Sequence, residues 1–138
     1  MGQPRFLIVS RPLRHDESAY VEARHSELVW RLVGANNRSL GQSQDGFADL
    51  ASCQAAIRRL VTRLVQCKPS LYAVESGQLW LWRLELEGQV LAVAARPYRR
   101  QRECQYNLAG FLAGSGVAEP TLNCSVARLL PRARRGSL

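Results

Sequence analysis

Apolar and polar residues alternate in two segments of the chain, 27–33 and 78–87, and both segments contain the tripeptide Trp-Arg-Leu. A pattern with a period of two predicts a β-strand that buries one of its faces. Trp30 and Trp82 fall on the apolar faces of their strands. The pattern therefore predicts two equivalent central strands, each with a Trp that points into a core.

The similarity continues beyond these strands. An offset of 52 residues before the next turn and 51 after it places Phe47 on Tyr98, and Cys53 on Cys104. A repeat that keeps its large apolar positions and differs by one residue in a turn is typical of a duplicated supersecondary unit. We expect an α+β fold that contains a duplicated β-β-β-α unit, in which one helix per repeat packs on the apolar face of an antiparallel sheet.

Turn residues and caps set the bounds of the predicted elements. Asp49 is a good N-cap for the first helix, Pro69 requires that helix to end near Cys67, and Gly114 is expected to end the second helix. The predicted strands are 5–9, 20–24, 27–33, 38–44, 71–75, 78–87 and 89–95, and the second helix is 100–113. The predicted segments are an N-terminal strand and loop (1–18), a first repeat (19–68), a second repeat (69–116) and a partly disordered basic C-terminal tail (117–138).

The order of residues within each copy also resembles a known family. A strand with Tyr, a strand with aromatic-Arg-Leu, a turn such as Asn36-Asn37, a third strand, an aromatic residue and a helix follow one another in both copies. Over roughly residues 19–113, this order resembles the YegP-like family of small bacterial proteins. The resemblance implies a tandem of β-β-β-α units, and it carries over no catalytic residue because the family has no established activity.

Composition limits the class of protein further. The chain has 138 residues, of which 46% are hydrophobic and 22% charged, which is enough to form a core. No apolar run approaches the roughly 18 residues that cross a bilayer, and the short run Phe6–Val9 is too short for a signal peptide. The four cysteines lack the close spacing of a zinc or redox motif. We expect a cytoplasmic protein without membrane insertion, metal or cofactor.

Catalytic chemistry has few candidates in this chain. His15, Asp16 and His25 form the only tight group of possible ligands or bases, and no Ser or Cys motif accompanies them. Catalysis by a nucleophile requires a base and an orienting group to converge on it. Cys53 and Cys104 fall on the apolar stripes of the predicted helices, which is typical of core residues. We therefore do not expect an enzyme.

Charge is distributed unevenly along the chain. The net charge is +8, and residues 58–138 supply all of the excess. The predicted strand-to-helix loop 96–102 contains four arginines, whereas its counterpart 45–51 contains two aspartates and no base. Because the first copy lacks these arginines, the fold does not require them. They are compatible either with a solvated loop or with a site for anions or nucleic acid.

Small residues replace charged ones on the outer side of the second helix. Where the first helix has Arg58 and Arg59, the second has Ala109 and Gly110, with Ala113 one turn later. Small residues at this spacing allow a second backbone to approach closely, whether from the N-terminal strand, the tail or another subunit.

Two functions follow as hypotheses. The leading one is a non-enzymatic interaction module that binds a protein partner or a second copy of itself through Ala109, Gly110 and Ala113. The alternative is nucleic-acid or anion binding through the arginine-rich loop and the tail, with the candidate residues Arg96, Arg99, Arg100, Arg102, Arg132, Arg134 and Arg135.

Overall fold

The computed structural model describes residues 3–12, 26–117 and 126–128. In chain order the elements are β1 (Arg5–Pro12), β2 (Ser26–Val33), β3 (Ser39–Ser43), α1 (Leu50–Thr62), a short 3-10 turn (Leu64–Gln66), β4 (Lys68–Val74), β5 (Leu79–Leu86), β6 (Gln89–Val93), α2 (Gln101–Val117) and β7 (Val126–Arg128).

One continuous sheet runs through the described residues in the order β4-β5-β6-β3-β2-β1-β7. The neighbours from β4 to β1 are antiparallel, and β7 is parallel to β1. The two halves of the chain meet at β3 and β6, where Gln42 pairs with Val93 and Ser43 with Ala92. The α+β class expected from the sequence is confirmed, and the two halves share a single sheet.

The N-terminal strand lies in a place that the alignment of the two sequence copies does not predict. That alignment leaves residues 5–9 outside the repeat, whereas β1 pairs with β2. This pairing places Ile8 opposite Trp30, just as β4 places Leu71 opposite Trp82. The connection from β1 to β2 spans residues 13–25, but β4 and β5 are joined by a short turn. An alignment with a fixed offset cannot match β1 to β4, because the connections that follow these strands differ in length. The strand predicted at 20–24 lies outside the described residues.

Aromatic rings fill the centre of the core between the sheet and the helices. Trp30 and Trp82 are buried, as predicted, and the Phe111 ring lies between them, with centroid distances of 6.2 Å to Trp30 and 4.9 Å to Trp82. Gly41 on β3 makes this arrangement possible. A Cβ atom at Gly41 would lie 2.6 Å from Phe111 Cδ1 and 2.9 Å from the ring of Trp82. Only glycine allows both rings to lie this close to β3.

The two helices begin near their predicted positions but end elsewhere. Asp49 caps α1, since its Oδ1 accepts a hydrogen bond of 2.7 Å from Ser52 N, as predicted. α1 then ends at Thr62 and gives way to the 3-10 turn before Cys67. The prediction that Gly114 ends the second helix is wrong, because α2 continues to Val117. Gly114 is buried, and a Cβ there would lie 3.3 Å from side-chain atoms of both Leu32 and Leu40, so this glycine serves close packing.

Neither helix has the length and apolar character that would let it cross a bilayer, and this holds for every helix in the described part of the chain.

A candidate binding cleft between α2 and β3

Two clefts open on the helical side of the sheet. The closed cleft lies between α1 and β6, has a volume of about 240 Å³, and is lined by residues that include Asp45, Phe47, Ala55, Arg59 and Gln89. The open cleft lies between α2 and β3, has a volume of about 520 Å³, and is lined by residues that include Arg38, Arg96, Tyr98, Arg102, Tyr106 and Gly110.

The clefts are built from equivalent positions. Apart from Trp30 in the closed cleft and Arg102 in the open one, each lining residue of one cleft has a counterpart 51 positions away in the other. The open cleft has Arg38, Arg96, Tyr98, Tyr106 and Gly110 where the closed cleft has Gln89, Asp45, Phe47, Ala55 and Arg59. A helix from one half of the chain and the third strand of the other half form each cleft, so both halves contribute to both sites.

Side chains of the protein itself form a polar bridge at the closed cleft. Arg59 Nη1 donates a hydrogen bond of 2.8 Å to Gln89 Oε1, and Arg59 Nη2 lies 3.4 Å from Glu87 Oε1. Arg63, the residue that follows α1, places Nη2 3.0 Å from Glu87 Oε2. Two guanidinium groups thus bridge the C-terminal end of α1 to the turn between β5 and β6, beside the cleft that Arg59 and Gln89 line.

The open cleft has no equivalent bridge. The positions that correspond to Arg59 and Arg63 are Gly110 and Gly114, and the position that corresponds to Glu87 is Asn36. A Cβ atom at Gly110 would have a single neighbour within 4 Å, Leu40 Cδ2 at 3.9 Å. The absence of a side chain at Gly110 therefore keeps the cleft open and accounts for its larger volume.

The two clefts also differ in charge. Three arginines, Arg38, Arg96 and Arg102, line the open cleft together with one acid, Glu103. The closed cleft contains one acid, Asp45, and one base, Arg59. In the closed cleft a guanidinium of the protein itself faces acceptors, whereas the open cleft presents guanidinium donors to solvent.

Tyr98 and Tyr106 form the aromatic wall of the open cleft. The backbone of Tyr98 is held to β5 by two hydrogen bonds with Trp80, of 2.6 and 2.9 Å, and its ring packs against the core. The guanidinium carbon of Arg96 lies 5.2 Å from the centroid of this ring, which is a cation–π distance. Tyr106, one turn into α2, is 82% exposed.

Asn107 connects the open cleft to the core. Its Oδ1 accepts a hydrogen bond of 2.5 Å from Nε1 of the buried Trp82. This bond fixes the orientation of the amide, so that its NH2 group is the donor that remains for the cleft. The counterpart of Asn107 in the closed cleft is Ala56, which has no such group.

The structure divides the residues that the sequence analysis singled out. Arg96 and Arg102 line the open cleft, while Arg99 and Arg100 are exposed on the same loop but outside the lining. Arg132, Arg134 and Arg135 lie outside the described residues.

The predicted protein interface is divided as well. Gly110 lines the open cleft, and Ala109 and Ala113 are exposed on α2. Gly114, one turn after Gly110, packs against the N-terminal segment, since a Cβ at Gly114 would lie 3.5 Å from Pro4 Cβ.

The sequence analysis did not single out several lining residues of the open cleft, among them Arg38, Tyr106 and Asn107. Arg38 lies far from the arginine-rich loop in the chain, and only the pairing of β3 with β6 brings it near α2. A signal was nevertheless present, since the offset of 51 aligns Arg38 with Gln89 and Tyr106 with Ala55.

Other candidate chemistry lies away from the clefts. Cys53 and Cys104 are buried in the core at matching helix positions, as predicted, and burial raises the pKa of the Cys104 thiol above its usual value. A thiol with a raised pKa is a poor nucleophile at neutral pH. His15, Asp16 and His25 lie outside the described residues, and within those residues no three His, Cys, Asp or Glu side chains group as metal ligands would.

Comparison with known proteins gives matches at the level of structure. No family model matches the chain, and no curated protein matches it. The solution structure of yegP from E. coli, a protein of unknown function, matches with a TM-score of 0.56 at 11% sequence identity, over 93% of this chain and 94% of that one. A UPF0339 protein from Shewanella oneidensis matches with a TM-score of 0.58 at 7% identity, over 96% and 98% of the two chains. The chain therefore has the fold of the YegP-like proteins, as the order of its residues predicted.

Proposed function

We propose that this protein is a binding protein, not an enzyme, and that it holds an anionic ligand in the open cleft. The observation that carries the proposal is the contrast between the two clefts. In the closed cleft a guanidinium of the lining, that of Arg59, pairs with Gln89 and with the neighbouring Glu87. The open cleft has glycine at the position of Arg59, and arginines at the positions of Gln89 and Asp45. The ligand that complements it carries negative charge.

Size and chemistry support this assignment. A volume of about 520 Å³ lies within the range of about 300–1,000 Å³ that is usual for small-molecule sites, and the closed cleft falls below it. Arginine presents its donors as a planar fork that matches the oxygens of phosphate and carboxylate groups. Three such forks on one cleft favour a ligand with several acidic oxygens.

The proposal rests on the equivalence of the two halves, and we propose that they are duplicated β-β-β-α units. In support, the offset of 51 relates the lining of the clefts, and the pairs Ile8–Trp30 and Leu71–Trp82 have the same place in their half of the sheet. We propose that the first unit begins with β1.

Closing the open cleft from within tests the function. Tripolyphosphate, as a probe anion, is expected to raise the Tm of the wild-type protein, because a ligand that binds only the folded state stabilises it. Gly110→Glu places a carboxylate opposite Arg38 and is expected to abolish this rise. Gln105→Glu makes the same change in charge at an exposed position of α2 outside the cleft, and it should retain the rise. An equal rise in Gly110→Glu and the wild type, or none in the wild type, contradicts the proposal.

Arginine substitutions distinguish anion binding in the cleft from attraction of anions by the net positive charge of the protein. Arg38→Ala and Arg96→Ala should each weaken tripolyphosphate binding about tenfold or more, since a hydrogen bond to a charged group contributes about 1.5–3 kcal/mol. Arg58→Ala removes the same charge from an exposed position on α1 and should change the affinity little. If all three variants lose affinity equally, the protein attracts anions only through its net charge.

Binding of a protein partner, or of a second copy, remains a second proposal. Its support is the pair of small exposed residues Ala109 and Ala113 on α2, which leave room for another backbone. Size-exclusion chromatography with light scattering tests self-association, and pull-downs test for other partners. A monomer that retains no specific protein contradicts it.

A further inference from the structure

We propose that the anion in the open cleft belongs to single-stranded nucleic acid, with one nucleotide seated in the cleft. Its phosphate would contact Arg38, Arg96 and Arg102, and its base would stack on Tyr106. This inference rests on the proposed anion-binding function and adds the chemical class of the ligand.

The walls of the cleft require a ligand with two kinds of surface. Guanidinium groups provide the polar part, and the apolar part consists of Leu40, Gly110 and the two tyrosine rings. An inorganic anion would contact the arginines and leave this apolar surface exposed to water. A nucleotide satisfies both parts, because it joins an anionic phosphate to a flat ring system.

Tyr106 is the residue that points to a base. Its side chain is 82% exposed, so packing within the fold does not explain why an aromatic residue is present at this position. The equivalent residue in the closed cleft is Ala55, which shows that this position of the helix functions in the fold without an aromatic ring. An exposed ring beside three arginines is the combination that sites for single strands use, since every base has a face that can stack on it.

The surroundings of the cleft favour a strand over a duplex or a free nucleotide. Bases within a duplex are stacked on one another and cannot enter a cleft. Arg99 and Arg100 are exposed on the same loop as Arg96 and lie outside the lining. A strand that passes over the loop would bring further phosphates to these two arginines.

Fluorescence anisotropy with a labelled single strand of about 12 nucleotides, as DNA and as RNA, tests the inference. An abasic strand of the same length has the same phosphates and no bases, and we expect it to bind about five- to 100-fold more weakly. Affinity should fall by about 0.7 log units per log unit of salt for each phosphate that is neutralised, or by about 2 log units if three phosphates of the strand are neutralised. Duplex DNA, AMP and poly-glutamate are expected to compete poorly.

A pair of variants isolates the aromatic contact. Tyr106→Ala should weaken binding of the normal strand about five- to 100-fold and leave the Tm rise with tripolyphosphate unchanged. Val65→Ala, which shortens an apolar side chain that is 92% exposed and is not part of the cleft lining, should change neither.

The outcomes distinguish a failure of this inference from a failure of the proposed anion binding on which it rests. If abasic and normal strands bind alike, or if Tyr106→Ala has no effect, the inference is overturned while anion binding stands. Poly-glutamate that binds as tightly as the strand assigns the cleft to acidic peptides instead, and AMP that does so assigns it to free nucleotides. If tripolyphosphate causes no Tm rise in the wild type, the proposed function itself is wrong.

Discussion

Single residues decide how the two halves of this protein differ. Gly41 and Phe111 lie together at the centre of the core, and their counterparts at the offset of 51 are Ala92 and Leu60, which are also fully buried. Where the ring on the helix is large, the residue on the strand has no side chain, and where the helix has the smaller Leu, the strand has Ala. The two pairs conserve volume, as close packing demands.

Exchanging one pair for the other gives a testable prediction. Gly41→Ala alone should destabilise the protein by roughly 1–3 kcal/mol, because its Cβ would lie 2.6 Å from Phe111 Cδ1. Adding Phe111→Leu removes the closest of these conflicts and leaves the one with the Trp82 ring at 2.9 Å, so the double variant should be more stable than the sum of the single effects allows, by roughly 0.5–3 kcal/mol. Urea denaturation of the four proteins in the cycle measures this coupling. Additive effects would show that the two residues do not compete for the same space.

The tryptophan of the second half provides another prediction at this scale. Trp82→Ala should cost roughly 3–5 kcal/mol, because the side chain is fully buried and its ring centroid lies 4.9 Å from that of Phe111. Arg99→Ala, at an exposed loop position, should change the free energy of unfolding by less than about 0.5 kcal/mol. Small, equal effects of the two substitutions in urea melts would contradict the central place of Trp82 in the core.

Residues near in sequence were predicted better than residues brought together by the fold. Arg96 and Arg102 were found because a run of arginines is visible in the loop, and Trp30 and Trp82 because alternation marks their faces. Arg38 was missed because its place in the site depends on which strand lies beside β6, and local patterns carry no information about strand order. Sequence analysis thus found Arg96 and Arg102, which are close together in the chain, and missed Arg38, which the other half of the chain contributes.

At the scale of elements, turns and caps were good guides to where strands and helices begin. Glu87 and Gly88 both have positive φ, of 53° and 82°, as the tight turn predicted between β5 and β6 requires. The ends of helices were harder to predict. Gly114 carries the usual signal for a helix end, but packing against Leu32 and Leu40 uses the same residue for another purpose. Tertiary contact thus outweighed a local preference.

The cap of α1 predicts a dependence on pH. The hydrogen bonds from Ser52 lower the pKa of Asp49 below its usual value of 3.8. A carboxylate with a lowered folded-state pKa stabilises the protein above its unfolded pKa, and this contribution is lost as the pH falls through the folded value. The Tm difference between the wild type and Asp49→Ala should therefore be largest near neutral pH and shrink below about pH 3.8.

Asp49→Asn is the control for this prediction. Asparagine caps a helix about as well as aspartate but does not titrate, so its Tm advantage over Asp49→Ala should vary little with pH. A wild-type advantage that grows on acidification would mean that Asp49 does not act through its ionised cap.

At the scale of the whole molecule, the sheet and the clefts join the halves into one cooperative structure. β3 and β6 pair across the middle of the sheet, and Arg59 and Arg63 of one half bind Glu87 of the other. Unfolding of one half alone would expose the paired strands and the ion pairs between the halves to solvent.

The protein should therefore unfold in a single transition. Tryptophan fluorescence, which reports on Trp30 in one half and on Trp80 and Trp82 in the other, and far-UV circular dichroism should give the same midpoint in urea. Two separate midpoints, or a fragment of residues 68–117 that folds as a monomer, would show that the halves are independent.

The pairing of β3 with β6 has a consequence for how such a protein can evolve. If the two units descend from one, a free unit would have completed its sheet by pairing with an identical copy about a two-fold axis. Every change in one cleft of such a homodimer appears in the other, because one gene encodes both. Fusion into a single chain removes that constraint. One cleft is then able to acquire Arg59 and become part of the scaffold, while its twin loses a side chain at Gly110 and is free to serve a ligand.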